Sequence, residues 1–394
     1  MTGRTDADRA RGVTRALFFC SGLAYAVWGV YIPQVAGRFS LSPLTLTGAM
    51  LAVALGAMAA MGPAGRWIGR AGSARACLVG AVCMGVALTA IPQAPGIGSL
   101  LLVLVAFGAG NGLFDTAMNA QAVTVEREHR RPLLSSMHGL FSVGGIVGAV
   151  LGSAWLSAGW AAGGLFLLVA LVAVSVVCIG HQCLLADQAL PTRVATGSGT
   201  SATLLSPPAA SPRPWLPIGI LAFCGLLIEG AMYDWTTLYM QQVAGAAQGW
   251  AGAGYGGFSA GMTLGRFTGD ALRARRGEVP LLHISCALAG LGFALVFWNP
   301  AVVAVALGFG LIGLGCANMV PILFAAGARA RPQAPAEGIA LVGRLAYVGF
   351  MVGPVLVGAA AHGVGLRGAL SVVALAVVWI AWRAAPTLGR RAAS

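Results

Sequence analysis

Charge is what this sequence has least of. Only 9% of its 394 residues are charged, against 58% hydrophobic, whereas a soluble domain carries about 25% charged residues. Twenty-four basic and 11 acidic side chains are too few to wet the surface of a soluble chain this long. Lysine is absent altogether, so every basic residue is arginine. The eight cysteines form no Cys-x-x-Cys pair, which argues against a zinc centre or redox dithiol; they read as small apolar packing residues. No phosphate-binding Gly-Lys-Ser/Thr loop, His-Glu-x-x-His or nucleophile elbow occurs, so neither ATP-driven transport nor hydrolysis is encoded by a motif. Two Gly-x-Gly-x-x-Gly matches, at 252–257 and 308–313, lie inside apolar runs, away from any strand-to-helix turn, and carry no dinucleotide meaning. No metal or cofactor is expected. Disorder, collagen, a disulfide scaffold and a soluble enzyme all fall away, leaving a chain that dissolves in lipid.

Apolar runs and glycine are what the sequence has in abundance. Glycine supplies 58 residues, about twice the usual share of ~7%. A helix crossing a bilayer needs roughly 20 apolar residues. Twelve segments qualify, at 14–36, 44–64, 75–93, 97–123, 133–156, 160–182, 215–240, 250–270, 279–298, 301–328, 336–361 and 366–384. They are continuously apolar, not alternating, which disfavours a β-barrel and predicts an all-α membrane protein.

Arginine positions predict the topology. Twenty-one of the 24 fall before the first segment, in every second connection, or after the last. The other side holds only Arg38 and Arg367, with Arg344 inside the eleventh segment. That asymmetry predicts both termini in the cytoplasm. It also accounts for the net charge of +13 without a nucleic-acid partner. Residues 1–15 carry four arginines and no apolar core, so no cleaved leader is expected. Residues 183–214, rich in Ser, Thr, Gly and Pro, read as a cytoplasmic linker. The predicted units are a six-helix bundle over 1–182, the linker, and a second six-helix bundle over 215–394.

The two bundles resemble each other. Gln34-Val35-Ala36-Gly37 closes the first segment and Gln242-Val243-Ala244-Gly245 the seventh, with Trp28 and Trp235 before them. Gly65-Arg66-Trp67-Ile68-Gly69 follows the second, and Gly265-Arg266-Phe267-Thr268-Gly269 the eighth. Gly144, Gly148 and Gly152 in the fifth correspond to Gly349 and Gly353 in the eleventh. Parallel six-span repeats with a midplane site between them are a transporter architecture.

With those features the chain resembles the major facilitator superfamily over essentially its whole length. The family's loop between helices 2 and 3 looks like Gly-x-x-x-Asp-Arg-x-Gly-Arg-Arg. Here it reads Gly65-Arg66-Trp67-Ile68-Gly69-Arg70-Ala71-Gly72-Ser73-Ala74-Arg75, keeping the glycines, Arg70 and Arg75 but not the acid. The resemblance implies a cytoplasmic latch of Arg66, Arg70 and Arg75, mirrored by Arg266 and Asp270. It also implies a cavity lined by helices 1, 4, 7 and 10, and contact between helices 5 and 8 across the halves. There the small-residue runs Gly144/148/152 and Gly257/261/265/269 would suit rocking. The run Asp115 to Ala122 followed by Met137-His138-Gly139-Leu140-Phe141-Ser142 is similar to a bacterial inner-membrane branch near the fucose-permease-like symporters.

Ionisable residues deep in a span are functional candidates by default. Asn111, Asp115 and Asn119 stack on one helical face, as a hydrogen-bonded seam or as cavity wall. His138 reads either as a packing residue or as a proton partner of Asp115. Glu229, sharing a face with Tyr233, is the better buried proton site, with Asp234 nearer the outer mouth. Arg344 needs an anion, either on the substrate or on Asp115 across the halves. Tyr25, Trp28 and Asn318 complete the substrate-binding candidates, and Pro321 with its preceding glycines makes the tenth helix bendable. The predicted activity is alternating-access transport of a small neutral or singly charged solute by a monomer in the bacterial inner membrane. It is driven by the proton gradient, with symport favoured. Proton-driven efflux is the alternative. In the resembled family efflux pumps carry Gly-Pro in helix 5, where this chain has Gly148-Ala149. Ser135, Ser136 and His138 are the sole support for an intramembrane enzyme.

Overall fold

The computed structural model describes residues 2–130, 133–186, 214–331 and 335–388. Most of the predicted linker therefore lies outside the described residues. Among them the secondary structure is helical, with no strand. The helices are α1 (Thr2–Arg38), α2 (Pro43–Ala71), α3 (Ser73–Ala90), α4 (Ile97–His129), α5 (Leu134–Ser157), α6 (Ala162–Gly180), α7 (Leu216–Gln242), α8 (Ala253–Arg276), α9 (Glu278–Trp298), α10 (Val302–Cys316), α11 (Met319–Arg329) and α12 (Pro335–Leu388).

Ten stretches among the described residues are long and apolar enough to cross a bilayer, with α10 and α11 counted as one of them. The difference from twelve has two sources. The 24-residue α8 is about 36 Å long, but its glycines and four arginines dilute its hydropathy. The 54-residue α12 carries left-handed backbone at Gly365 (φ 70°), which breaks a rod that would otherwise be about 80 Å long. The boundary between α10 and α11 has a local cause. Pro321 lacks the N–H that would bond the Ala317 carbonyl, so the helix opens at Ala317–Asn318.

Several helices outrun their apolar cores. Arg66 and Arg70 lie in the last turns of α2, and Arg266 and Asp270 lie within α8. The expectation that the Arg266 segment is a connection after the eighth helix is therefore wrong: a hydropathy boundary marks where a span stops being apolar, not where its helix stops.

Helices α1 to α6 pack mainly on one another, as do α7 to α12. Contacts between the two sets run through α5–α8, α2–α12 and α1–α7. Glycine sets the packing within each set. A Cβ on Gly56 would strike the Val105 carbonyl, and one on Gly108 the Val53 carbonyl. At positions 205 residues on, Gly261 meets the Gly310 carbonyl and Gly313 the Phe258 carbonyl. Likewise Gly22 and Gly144 lie on the Phe141 and Phe19 carbonyls, as Gly230 and Gly349 lie on those of Phe350 and Phe223. The repeat thus recurs contact by contact.

These contacts correct one expectation. Gly144 and Gly148 face Phe19 and Leu23 of α1, while Gly257, Gly261 and Gly265 face Ala306, Gly310 and Ala317. Both stripes knit helices within a set instead of forming a sliding face between α5 and α8. The α5–α8 contact uses other residues: Gly139 against the Phe267 ring, Gly145 against Ser259 and Tyr255, and Ser153 Oγ accepting from Gly252 N at 3.0 Å.

Candidate functional site

Helix α7 carries two acids five residues apart, about 140° round a helix, so they reach different neighbours. Glu229 pairs with Arg266 of α8 at 3.1 Å, with side-chain exposures of 9% and 14%. Asp234, also buried, accepts a hydrogen bond from Tyr25 Oη of α1 at 3.3 Å. Tyr233 stands between them. Its ring meets those of Tyr25 at 6.1 Å, Phe141 at 6.2 Å, Tyr255 at 5.4 Å and Phe258 at 5.1 Å. Four helices (α1, α5, α7 and α8) are thereby gathered around one aromatic cluster holding two carboxylates. Tyr255 Oη, Ser259 Oγ and Arg266 Nε are buried there without a hydrogen-bond partner among the described residues. Polar groups normally bury with partners, so the protein alone leaves these three unsatisfied. Tyr255 and Ser259 were not among the sequence candidates, although their i, i+4 spacing puts both on one face of α8.

Helix α4 forms a second wall. Asn111, Asp115 and Asn119 are all half-buried, and Asn119 Nδ2 donates to the Asp115 carbonyl at 2.9 Å and to Asp115 Oδ1 at 3.3 Å. Tyr347 of α12 lies within electrostatic reach of Asp115, Glu229 and Arg266, yet is 47% exposed. Nothing local in the sequence marks it as a site residue.

Other candidates fall elsewhere. Arg344 is exposed and makes no ion pair among the described residues, so the Asp115–Arg344 pair is not formed in this arrangement. His138 stacks edge-on against Phe18 at 4.9 Å, and the charge it feels is Arg266 rather than Asp115. Trp28, 1% exposed, packs on Phe107 of α4 at 6.1 Å. Asn318 sits at the α10–α11 opening, over Gly269. Arg66, Arg70, Arg75 and Asp270 are exposed, whereas Arg266 belongs to the buried pair and not to a surface latch. Ser135 and Ser136 hydroxyls bond the Arg266 and Leu133 carbonyls, so neither is poised against His138 as a nucleophile.

The two helix sets meet closely at their arginine-poor ends. Gly358 of α12 abuts Thr47 of α2, and Gly249, just before α8, abuts Ser157 of α5. Toward the arginine-rich ends, α4 and the first half of α12 carry half-buried or exposed polar residues, with no extensive packing between them. The two sets are therefore joined at their arginine-poor ends, with the buried acids of α7 inward of those contacts.

The sequence matches the Major Facilitator Superfamily model over residues 16–354. It is 34% identical to an uncharacterised MFS-type transporter of Yersinia pestis, covering 93% of each chain. It is 31% identical to the membrane protein MosC of Rhizobium meliloti, covering 92% of this chain and 86% of that one. Among solved structures, a bacterial homologue of the human lysosomal transporter Spinster shares the fold (TM-score 0.72, 13% identity, 98% of each chain). So does the MFS transporter FucP (TM-score 0.62, 19% identity, 96% of this chain and 98% of that one). On the family match and the end-to-end relatives, the chain belongs to the Major Facilitator Superfamily, whose members are transporters and not enzymes.

Proposed function

We propose that this chain is a proton-coupled symporter of a small organic solute, working by alternating access in the bacterial inner membrane. The reading takes residues 1–182 and 215–394 as six-span bundles joined by a cytoplasmic linker over 183–214, with both termini cytoplasmic. The length of α8 and the break at Gly365 support twelve crossings, and the arginine distribution supports the orientation.

The observation that carries the proton coupling is the Tyr25–Asp234 bond. It joins α1 to α7, one helix from each set, so a titratable group sits on a contact that alternating access must break. An ionised Asp234 accepts that bond as a charge-assisted one, and protonation removes the charge. Binding a proton thereby loosens the closure on the arginine-poor side. Glu229 is a second titratable group, but its partner Arg266 lies within the same helix set, so its titration does not bear directly on that closure. Proton and solute are then taken up together at one face and released together at the other as the two bundles rock.

The test is transport in proteoliposomes. A solute panel is first screened by thermal stabilisation, and uptake of the stabilising solute is then measured with and without an imposed pH gradient. Accumulation down the proton gradient is expected. Asp234→Asn should abolish gradient-driven accumulation while retaining solute exchange at equal concentrations. Solute moving against the proton flow would establish the efflux alternative, and uptake indifferent to the gradient would refute proton coupling.

A further inference from the structure

Three acids lie in the membrane-spanning core of this chain, and two are matched within the protein: Glu229 by Arg266 and Asp234 by Tyr25. Asp115 is not. It makes no ion pair among the described residues, and the amide that reaches it comes from its own helix face, at Asn119. A half-buried carboxylate without a counter-charge is costly. The neighbouring amides add hydrogen-bonding groups. Asn119 directs its amide N–H donors at Asp115, which leaves its carbonyl as the free group. Asn111 Oδ1 is buried with no partner. The face therefore presents a negative charge beside the Asn119 carbonyl and the Asn111 amide. Tyr347 of α12 stands within electrostatic reach of Asp115 with nearly half of its surface exposed. A cation seated beside Asp115 would have that aromatic side chain in its neighbourhood.

We propose that this wall is the solute site, and that the solute carries a protonated amine together with hydroxyl groups. The amine compensates Asp115, and the hydroxyls pair with the Asn119 carbonyl and the Asn111 amide N–H. The proposal rests on the transporter reading above, of which it specifies the substrate class. Arg344, three residues from Tyr347 and exposed, offers the opposite preference. An acidic solute held by Arg344 is the competing outcome.

The experiment uses three probes that share a sugar ring and differ in charge: glucosamine, glucose and glucuronate. Binding to the purified full-length protein is measured by calorimetry at mildly acidic pH, where the amine is charged. Glucosamine should bind at least about tenfold more tightly than either partner, a difference of ~1.4 kcal/mol. Asp115→Asn, nearly isosteric, should erase that preference without changing the unfolding temperature. Tyr347→Leu should weaken amine binding severalfold, and is a second check that leaves the α4 face intact. Preference for glucuronate, equal binding of the three, no binding of glucosamine, or an amine preference that survives Asp115→Asn would each overturn the proposal. Gradient-driven uptake in proteoliposomes is read separately, so the proposal can fail while the transporter reading stands, and the reverse.

Discussion

The closed arginine-poor side rests on a contact that one methyl group can block. Gly358 of α12 faces Thr47 of α2, and a Cβ built there overlaps Thr47 Oγ1. Turning the hydroxyl away does not relieve the conflict, because the new carbon still lies 2.9 Å from Thr47 Cβ and 2.9 Å from the Trp235 ring. Both are held by packed helices, so relief requires backbone separation of α2 from α12. Overpacking of this kind costs about 1–3 kcal/mol for one methyl group. That penalty applies only in the state where the two helices touch. Gly358→Ala should therefore shift the conformational balance away from closure by roughly 5- to 150-fold, and Gly358→Val further. Gly363 in the same helix has nothing within 4 Å of its Cβ, and Gly363→Ala serves as the control. The assay is labelling of a cysteine introduced at Gln242, which lines the small cleft beside this contact, by a membrane-impermeant maleimide in intact cells. The exposed native cysteines are replaced beforehand. Gly358→Val should raise labelling and stop transport, and Thr47→Gly should partly restore both. Unchanged labelling and transport in Gly358→Val would refute the assignment of this contact as the closure.

The remaining expectations concern stability. Glu229→Leu strands a buried Arg266 and should cost about 3–5 kcal/mol, seen as a large fall in unfolding temperature in detergent; Glu229→Leu with Arg266→Met should recover much of it. Gly108→Ala and Gly313→Ala occupy equivalent positions of the repeat and should each cost about 1–3 kcal/mol. Gly290→Ala, which meets nothing within 4 Å, should be neutral or stabilising by up to ~1 kcal/mol. Glu126 of α4 accepts from Leu133 N at 2.7 Å and Leu134 N at 2.9 Å, capping α5. Glu126→Ala should cost about 0.5–2 kcal/mol by the same thermal measurement.

What could be read from the sequence was whatever is local or periodic. Apolar runs reveal membrane helices because hydrocarbon tolerates nothing else over that length. Asn111, Asp115 and Asn119 could be placed on one face because four-residue spacing decides it. Partners distant in the chain could not be read. Glu229 and Arg266 are 37 residues apart on different helices, and Arg266 looked like a loop residue because hydropathy falls before the helix ends. Asp234 looked like a mouth residue until Tyr25, 209 positions away, was found on it. Tyr347 carries no local mark at all; only the fold brings it within electrostatic reach of Asp115.

The glycine excess shows why so few contacts decide the function. Had the stripes in α5 and α8 formed the surface between the helix sets, closure would be spread over a long, weakly specific face, and no single substitution would control it. Instead Gly144 and Gly148 bring α5 onto α1, and Gly257 and Gly261 bring α8 onto α10. Backbone-to-backbone packing makes each set stiff. Stiff bodies cannot absorb a local misfit by bending, so a misfit at a contact between them is felt as a change in their relative position. Only the cross-set contacts then differ between open and closed states: Tyr25–Asp234, Thr47–Gly358, Ser153–Gly252 and their neighbours. Of these three pairs, only Tyr25–Asp234 includes a carboxylate. On the proposed reading, a proton added at Asp234 changes the free energy of the closed state and leaves the bundles' own packing alone, which is the condition for coupling protonation to rocking rather than to unfolding.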